Sequence, residues 1–208
     1  MKKIRNSNEN EMIYEFLKME INSERYRDQI ETVLKELSAD KEIIINGNIT
    51  SVEENTLRAE ILKRFRGWRN EELFENFPVN INWVWSAFDR EDILKVIYIE
   101  YSYWNELSNY TGSPLEAAKY VLSGRTIYDM PTDGFIGDAQ RLIEGHKFPP
   151  LIFLTDRSEE RYIILEGHCR MTAYGLAPVL FQNVSVLLGY CDREELNKWY
   201  GEMPERPK

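Results

Sequence analysis

The chain has 208 residues, 43% of them hydrophobic and 12% aromatic, and a formal net charge of −9. That composition excludes a disordered chain, and the length supports a core that needs neither disulfides nor a structural metal. The acidic balance excludes non-specific coating of nucleic acid, and two cysteines and two histidines without paired spacing exclude a zinc framework.

The apolar runs, such as 151–154 and 162–165, are too short to span a bilayer. The start, MKKIRNSNENE, has no apolar stretch after its basic residues, so no secretory signal and a cytoplasmic location are expected. Asn8 predicts the cap of a first helix carrying Met12, Ile13, Phe16 and Leu17. Ser23 predicts a second, with Tyr26, Ile30, Val33, Leu34 and Leu37 on one 3.6-residue stripe. In E-I-I-I-N-G-N-I-T, Asn46-Gly47 is a turn signal that predicts a short hairpin. Ser51 and Glu54 form a capping box for a third helix carrying Leu57, Ile61, Leu62 and Phe65, closed by Gly67.

Ile81, Trp83 and Trp85 alternate with Asn82, Val84 and Ser86, which predicts a strand with one apolar face. A short helix is expected from Asp89, then a second alternating strand over 97–104. Ser113-Pro114-Leu115-Glu116 stacks three helix-start signals, and that helix runs to Leu122 and stops near Gly124. The last third predicts a helix over Asp138 to Glu144, strands over 151–154, 162–165 and 184–188, a helix from Cys169 to Leu176, and a final helix begun by Asp192 and stopped by Gly201 and Pro204. The expected class is α+β, with a helical, aromatic-rich region over 1–122 and a core with a C-terminal helix over 123–208.

The sharpest chemical feature is Y-I-I-L-E-G-H-C-R-M-T-A-Y, residues 162–174, where a strand ends and a helix begins at once. Free N–H groups at a helix start form an anion site, Gly167 permits close approach of a phosphate, and Arg170 offers a bidentate contact. Glu166 and His168 are the candidate catalytic acid–base groups. Each has a plainer reading: Gly167 as a tight turn, Arg170 paired with Glu166, His168 as a cap, Cys169 as packing.

With the helix, the F-P-P-L-I-F-L run, G-H-C-R-M-T-A and V-S-V-L-L-G in this order, residues 124–189 resemble the ParB/sulfiredoxin superfamily. The resemblance implies that the Gly-x-x-Arg turn, here Gly167, His168, Cys169 and Arg170, binds nucleotide phosphates (ATP, ADP or CTP). Its form is nearest the G-H-H-R of the archaeal free-serine kinase. It implies a nucleotide-dependent phosphotransferase or hydrolase using Mg²⁺ on a small-molecule or protein substrate, with Arg125 reaching the loop from the start of the core. Sulfiredoxin carries its reactive cysteine directly after the glycine. Here Cys169 comes one position later, which argues against sulfinic-acid reduction. Only residues 189–208 follow Leu188, so no helix-turn-helix and no partition role are expected.

Two further features compete. Lys63, Arg64, Arg66 and Arg69, with Arg58 before them and Phe65 and Trp68 interleaved, fit a single-strand nucleic-acid site or a ParB-like nuclease module, or a solvated helix end neutralised by Glu71, Glu72 and Glu75. The set Trp83, Trp85, Tyr101, Tyr103 and Trp104 is either core packing or the interface of a non-enzymatic adaptor.

Overall fold

The computed structural model describes residues 1–201. The strands are β1 (Lys2–Asn6), β2 (Asn82–Phe88), β3 (Val96–Ile97), β4 (Leu151–Thr155), β5 (Tyr162–Glu166) and β6 (Val184–Tyr190). The helices are α1 (Glu9–Glu20), α2 (Arg27–Glu36), α3 (Glu42–Ile45), α4 (Val52–Arg66), α5 (Ser102–Leu107), α6 (Pro114–Leu122), α7 (Gly134–Ile143), α8 (His168–Leu176) and α9 (Arg193–Tyr200).

The six strands form one mixed sheet in the order β1-β2-β6-β4-β5-β3, so the class is α+β. β6 runs parallel to β4 and β3 parallel to β5, while the other neighbours are antiparallel. Strands from both sides of residue 122 share this sheet, with β2 paired to β6 over seven residues from Asn82 to Phe88.

Alternation along the strands sorts the core into two layers. Trp83, Trp85, Ile152, Leu154, Ile163, Leu165 and Leu187 face α1, α2 and α4. Val84, Phe88, Leu151, Phe153, Tyr162, Ile164, Val186 and Leu188 face α6, α7 and α8. β2 is therefore covered on both faces, not on the one that its alternation predicts, and even Ser86 is fully buried.

Local caps hold where they were expected. Asn8 accepts from the Glu11 N–H at 3.0 Å, Ser51 from Glu54 at 3.3 Å, Ser113 from Leu115 at 3.3 Å and Asp192 from Glu194 at 2.8 Å. Ser23 does not cap α2. Its hydroxyl accepts from the Arg25 N–H in a turn, and the helix begins at Arg27. α7 begins four residues earlier than expected, at Gly134, and the Pro204 stop signal lies outside the described residues.

Two expected strands are corrected. Residues 42–45 form helix α3 rather than a hairpin arm, because the Ile43 and Asn48 carbonyls turn inward to accept from the buried guanidinium of Arg58 at 2.6 and 3.0 Å. The alternation over 97–104 yields only the two-residue β3. Past Ile97 the β5 edge is no longer paired, and the chain turns into α5.

α8 packs closely on α6. A methyl group at Gly175 would lie 2.4 Å from the Pro114 carbonyl oxygen, a backbone atom that cannot swing aside. Alanine in place of glycine within a helix ordinarily stabilises by about 0.5–1 kcal/mol. Gly175→Ala is expected to reverse that sign and cost about 1–3 kcal/mol through overpacking. Thermal unfolding checks it, and a raised Tm would show that α6 and α8 have room to part.

Candidate functional site

Parallel pairing of β3 with β5 sends the chain after β3 to the same end of the sheet as the β5–α8 turn. Tyr101 and Trp104 thereby come beside Glu166 and Gly167. From the other layer the C-terminal end of α1 brings Met19 and Glu20, the following turn Ser23, Arg25 and Tyr26, and the end of α4 Arg66. Together they enclose a cleft of about 340 Å³ whose floor is the segment Leu165 to Arg170. This is the low end of the range for small-ligand sites.

Gly167 sits at φ +107°, and no side chain caps α8. A Cβ there would stand 2.4 Å from Leu151 Cδ2 and 3.3 Å from Arg170 Nη2, so the turn needs glycine for both conformation and space. The first residues of α8, His168 to Arg170, line the cleft at the positive end of the helix dipole.

Arg170 braces this turn. Its Nη1 donates to the Pro149 and Pro150 carbonyls at 2.9 and 2.6 Å, and its Nη2 to Glu166 Oε1 at 2.6 Å. Both Nη1 hydrogens are thereby committed to the chain, and Glu166 is held as the partner of Arg170 rather than as a free base. The plainer reading of this pair thus describes its geometry.

His168 packs its ring against Trp104 at 5.0 Å between centroids, with Tyr98 stacked beyond at 6.0 Å. The Thr172 hydroxyl donates to the His168 carbonyl at 2.9 Å and meets the Tyr98 hydroxyl at 2.8 Å, fixing the first turn of α8. His168 Nε2 is sealed from solvent and has no hydrogen-bond partner. Burial, and then the charges of Arg170 and Arg66, push the imidazole down to about 3. It is therefore a neutral ring at physiological pH, with no proton exchanging near neutrality.

Cys169 retains exposed surface at the floor, yet the surrounding walls restrict its solvation. Burial, then Glu166 and Asp138, push its thiol up to about 11, so it is not an activated nucleophile.

The basic cluster divides. Arg66 enters the cleft, while Arg64 pairs with Glu60 at 2.7 Å and Arg69 with Glu9. Lys63 is exposed outside the cleft, and Arg58 is fully buried. Phe65 and Trp68 lie in the core, so the rings that a stacking site would use are covered. Arg125 is not brought to the loop: it is exposed and stacks over Tyr120 at 5.2 Å.

Glu20, Arg25 and Tyr26 were not among the sequence candidates. The available signal was Glu20 itself, which falls four residues after Phe16 and three after Leu17, on the apolar stripe of α1. A carboxylate on a buried stripe needs either a partner or a role. Burial and the neighbouring Glu166 push it up to about 8, against the attraction of Arg66, Arg170 and Arg25. Among the described residues the cleft lining thus carries Arg25, Arg66 and Arg170 together with the carboxyls of Glu20 and Glu166.

A larger open groove of about 720 Å³ lies near the start of α9, between residues such as Lys3, Asp156, Arg157, Tyr190 and Arg193. Two of its charges are engaged with each other: Arg193 binds Asp156 at 2.5 Å and also Glu160 at 2.9 Å, and Asp156 also accepts from Ser158. The smaller cleft, whose floor holds the uncapped start of α8, is the better candidate.

Among the described residues no helix is long and apolar enough to cross a membrane. Compared with family models, curated proteins and solved structures, the chain matches none.

Proposed function

We propose that this cleft binds a nucleotide, with the phosphates on the uncapped N-terminal turn of α8 and Arg66 and Arg25 flanking them. The observation that carries the reading is the Gly167 turn, from which α8 starts without a side-chain cap in a cleft lined by Arg25, Arg66 and Arg170. The resemblance of the G-H-C-R segment to the ParB/sulfiredoxin superfamily supports the same reading. Phosphoryl transfer or hydrolysis follows as the reaction class, because such chemistry relies mainly on positioning and on charge stabilisation.

The donor set does not fit a resident Mg²⁺. Arg170 occupies Glu166, Glu20 keeps its proton to about pH 8, and no three acidic, His or Cys side chains converge among the described residues. Any Mg²⁺ would arrive on the nucleotide's phosphates.

The test is thermal unfolding with ATP, ADP, CTP and GTP, each with and without Mg²⁺. A ligand at about 100 times its Kd adds about 2.7 kcal/mol, which for this chain length raises the Tm by about 5–10 °C. The shift is expected with at least one nucleotide and is expected to vanish in Arg25→Ala/Arg66→Ala. Arg170→Ala is a poor probe of binding, because it also leaves the Pro149 and Pro150 carbonyls without their donor. No shift with any nucleotide would overturn the proposal.

A further inference from the structure

Two of the cleft's arginines are held on one ring. The guanidinium carbons of Arg25 and Arg66 each lie over Tyr26, 4.8 Å from its centroid. Arg25 precedes Tyr26 in the α1–α2 turn, whereas Arg66 reaches it from the end of α4. Phe65, beside Arg66, meets the same ring at 5.8 Å in a T-shaped contact and ties it to the core. A cation over a ring face is attracted by the π electrons and spends no N–H donor on the contact. Each guanidinium is a rigid fork of five N–H groups, so an arginine held in this way still has donors for an oxyanion. Arg25 makes no side-chain hydrogen bond or ion pair among the described residues. Arg170 adds a third positive charge, and all three act on the carboxyl of Glu20 in the same cleft. Like charges gathered so closely repel one another. A chain of phosphates relieves that repulsion by presenting oxyanions to more than one fork at once.

Resting on the nucleotide reading above, we infer that Tyr26 is the positioning residue of a two-arginine clamp: its ring aims Arg25 and Arg66 at the outer phosphates of a di- or triphosphate. The ligand class is then a nucleoside polyphosphate rather than a monophosphate. Tyr26 acts through the arginines, so its ring matters and its hydroxyl does not. Phe is therefore the conservative replacement, while Leu keeps apolar packing and every charge in the cleft but removes the π face.

The experiment is calorimetric binding of ATP, CTP and GTP, each against its own monophosphate, and of inorganic tripolyphosphate, to wild type, Tyr26→Phe and Tyr26→Leu. At least one triphosphate is expected to bind the wild type about tenfold or more tightly than its monophosphate, a difference of about 1.4 kcal/mol. Tyr26→Leu is expected to lose that advantage while holding the monophosphate within about twofold, and Tyr26→Phe to retain it. Simple attraction of a polyanion to positive charge would survive in Tyr26→Leu, so an unchanged triphosphate Kd there would overturn the clamp. So would equal wild-type affinity for triphosphate and monophosphate, a loss in Tyr26→Phe as large as in Tyr26→Leu, or an equal loss of both ligands in Tyr26→Leu, which would mark the ring as structural. Tripolyphosphate binding that needs the ring, with no nucleotide bound, would keep the clamp and overturn the nucleotide reading. A wild type that binds none of these ligands would overturn both.

Discussion

Arg58→Ala is expected to destabilise the protein by about 3–5 kcal/mol, the usual cost of breaking a buried, hydrogen-bonded charge network. The Arg58 side chain is wholly inaccessible. Its Nη1 donates to the Ile43 carbonyl at 2.6 Å and to Glu54 at 3.1 Å, and its Nη2 to the Asn48 carbonyl at 3.0 Å and to Asn55 at 2.5 Å. The guanidinium also lies 5.2 Å from the ring centre of Tyr14 on α1. One side chain therefore fastens α3 and the following loop to α4 and α1. Truncation leaves two inward carbonyls without donors and opens a cavity. Arg58→Lys is expected to recover less than half of the loss, because one ammonium cannot span acceptors on both arms of the fork. Urea unfolding followed by circular dichroism measures both variants, and a loss below about 1 kcal/mol for Arg58→Ala would refute the network's importance.

Glu20→Gln is expected to stabilise the protein at alkaline pH by a few kcal/mol while changing little near pH 4. The sign follows from the two displaced groups of the cleft. Glu20 in the folded chain keeps its proton to about pH 8 rather than 4.5, so its contribution is complete below 4.5 and is lost as pH rises through 8. His168 is displaced the other way, from 6.5 to about 3, so its contribution is complete above 6.5 and is lost as pH falls through 3. Between 4.5 and 6.5 the two slopes cancel. From these groups stability should be flat there, falling by about 2 kcal/mol from pH 6.5 to 8 and by a similar amount from 4.5 to 3. In Glu20→Gln the alkaline fall should disappear, leaving stability rising to pH 6.5 and level beyond. Tm measured every half pH unit resolves these shapes, and a parallel profile in the variant would show that Glu20 ionises normally in the folded protein.

Where the sequence is followed by local structure, the forces involved are themselves local. Asn8, Ser51, Ser113 and Asp192 start helices because each satisfies an N–H two or three residues away. β4, β5 and β6 stand near where their apolar runs place them, and α8 begins directly after Gly167. The turn that carries the proposed phosphate site was legible for the same reason: a strand, a glycine and a helix in immediate succession admit few backbone paths.

The errors arose where distant contacts outweighed local preference. Residues 42–45, rich in β-branched isoleucine, form a helix because Arg58 collects the Ile43 and Asn48 carbonyls, an interaction invisible to a short window. The aromatic alternation over 97–104 is not a strand. Tyr98 and Ile99 are buried from an extended connection, and Trp104 stacks on His168 from a helix. Composition and periodicity also put Phe65 and Trp68 beside the basic residues without showing that the rings point inward while Lys63, Arg64 and Arg69 stay exposed.

By itself, then, the sequence determined the mixed α+β class, the caps, most of the strand segments and the Gly167 turn, since each depends on bonds or sterics spanning a few residues. Only the tertiary structure decided the cleft. It brings Glu20, Arg66, Trp104 and His168 together from four separate elements, commits Arg170 to bracing the turn, and leaves Arg125 outside. That outcome follows from sheet order: β3 parallel to β5 puts α5 at the end of the turn, and burial of β5 between two helical layers brings the ends of α1 and α4 across it.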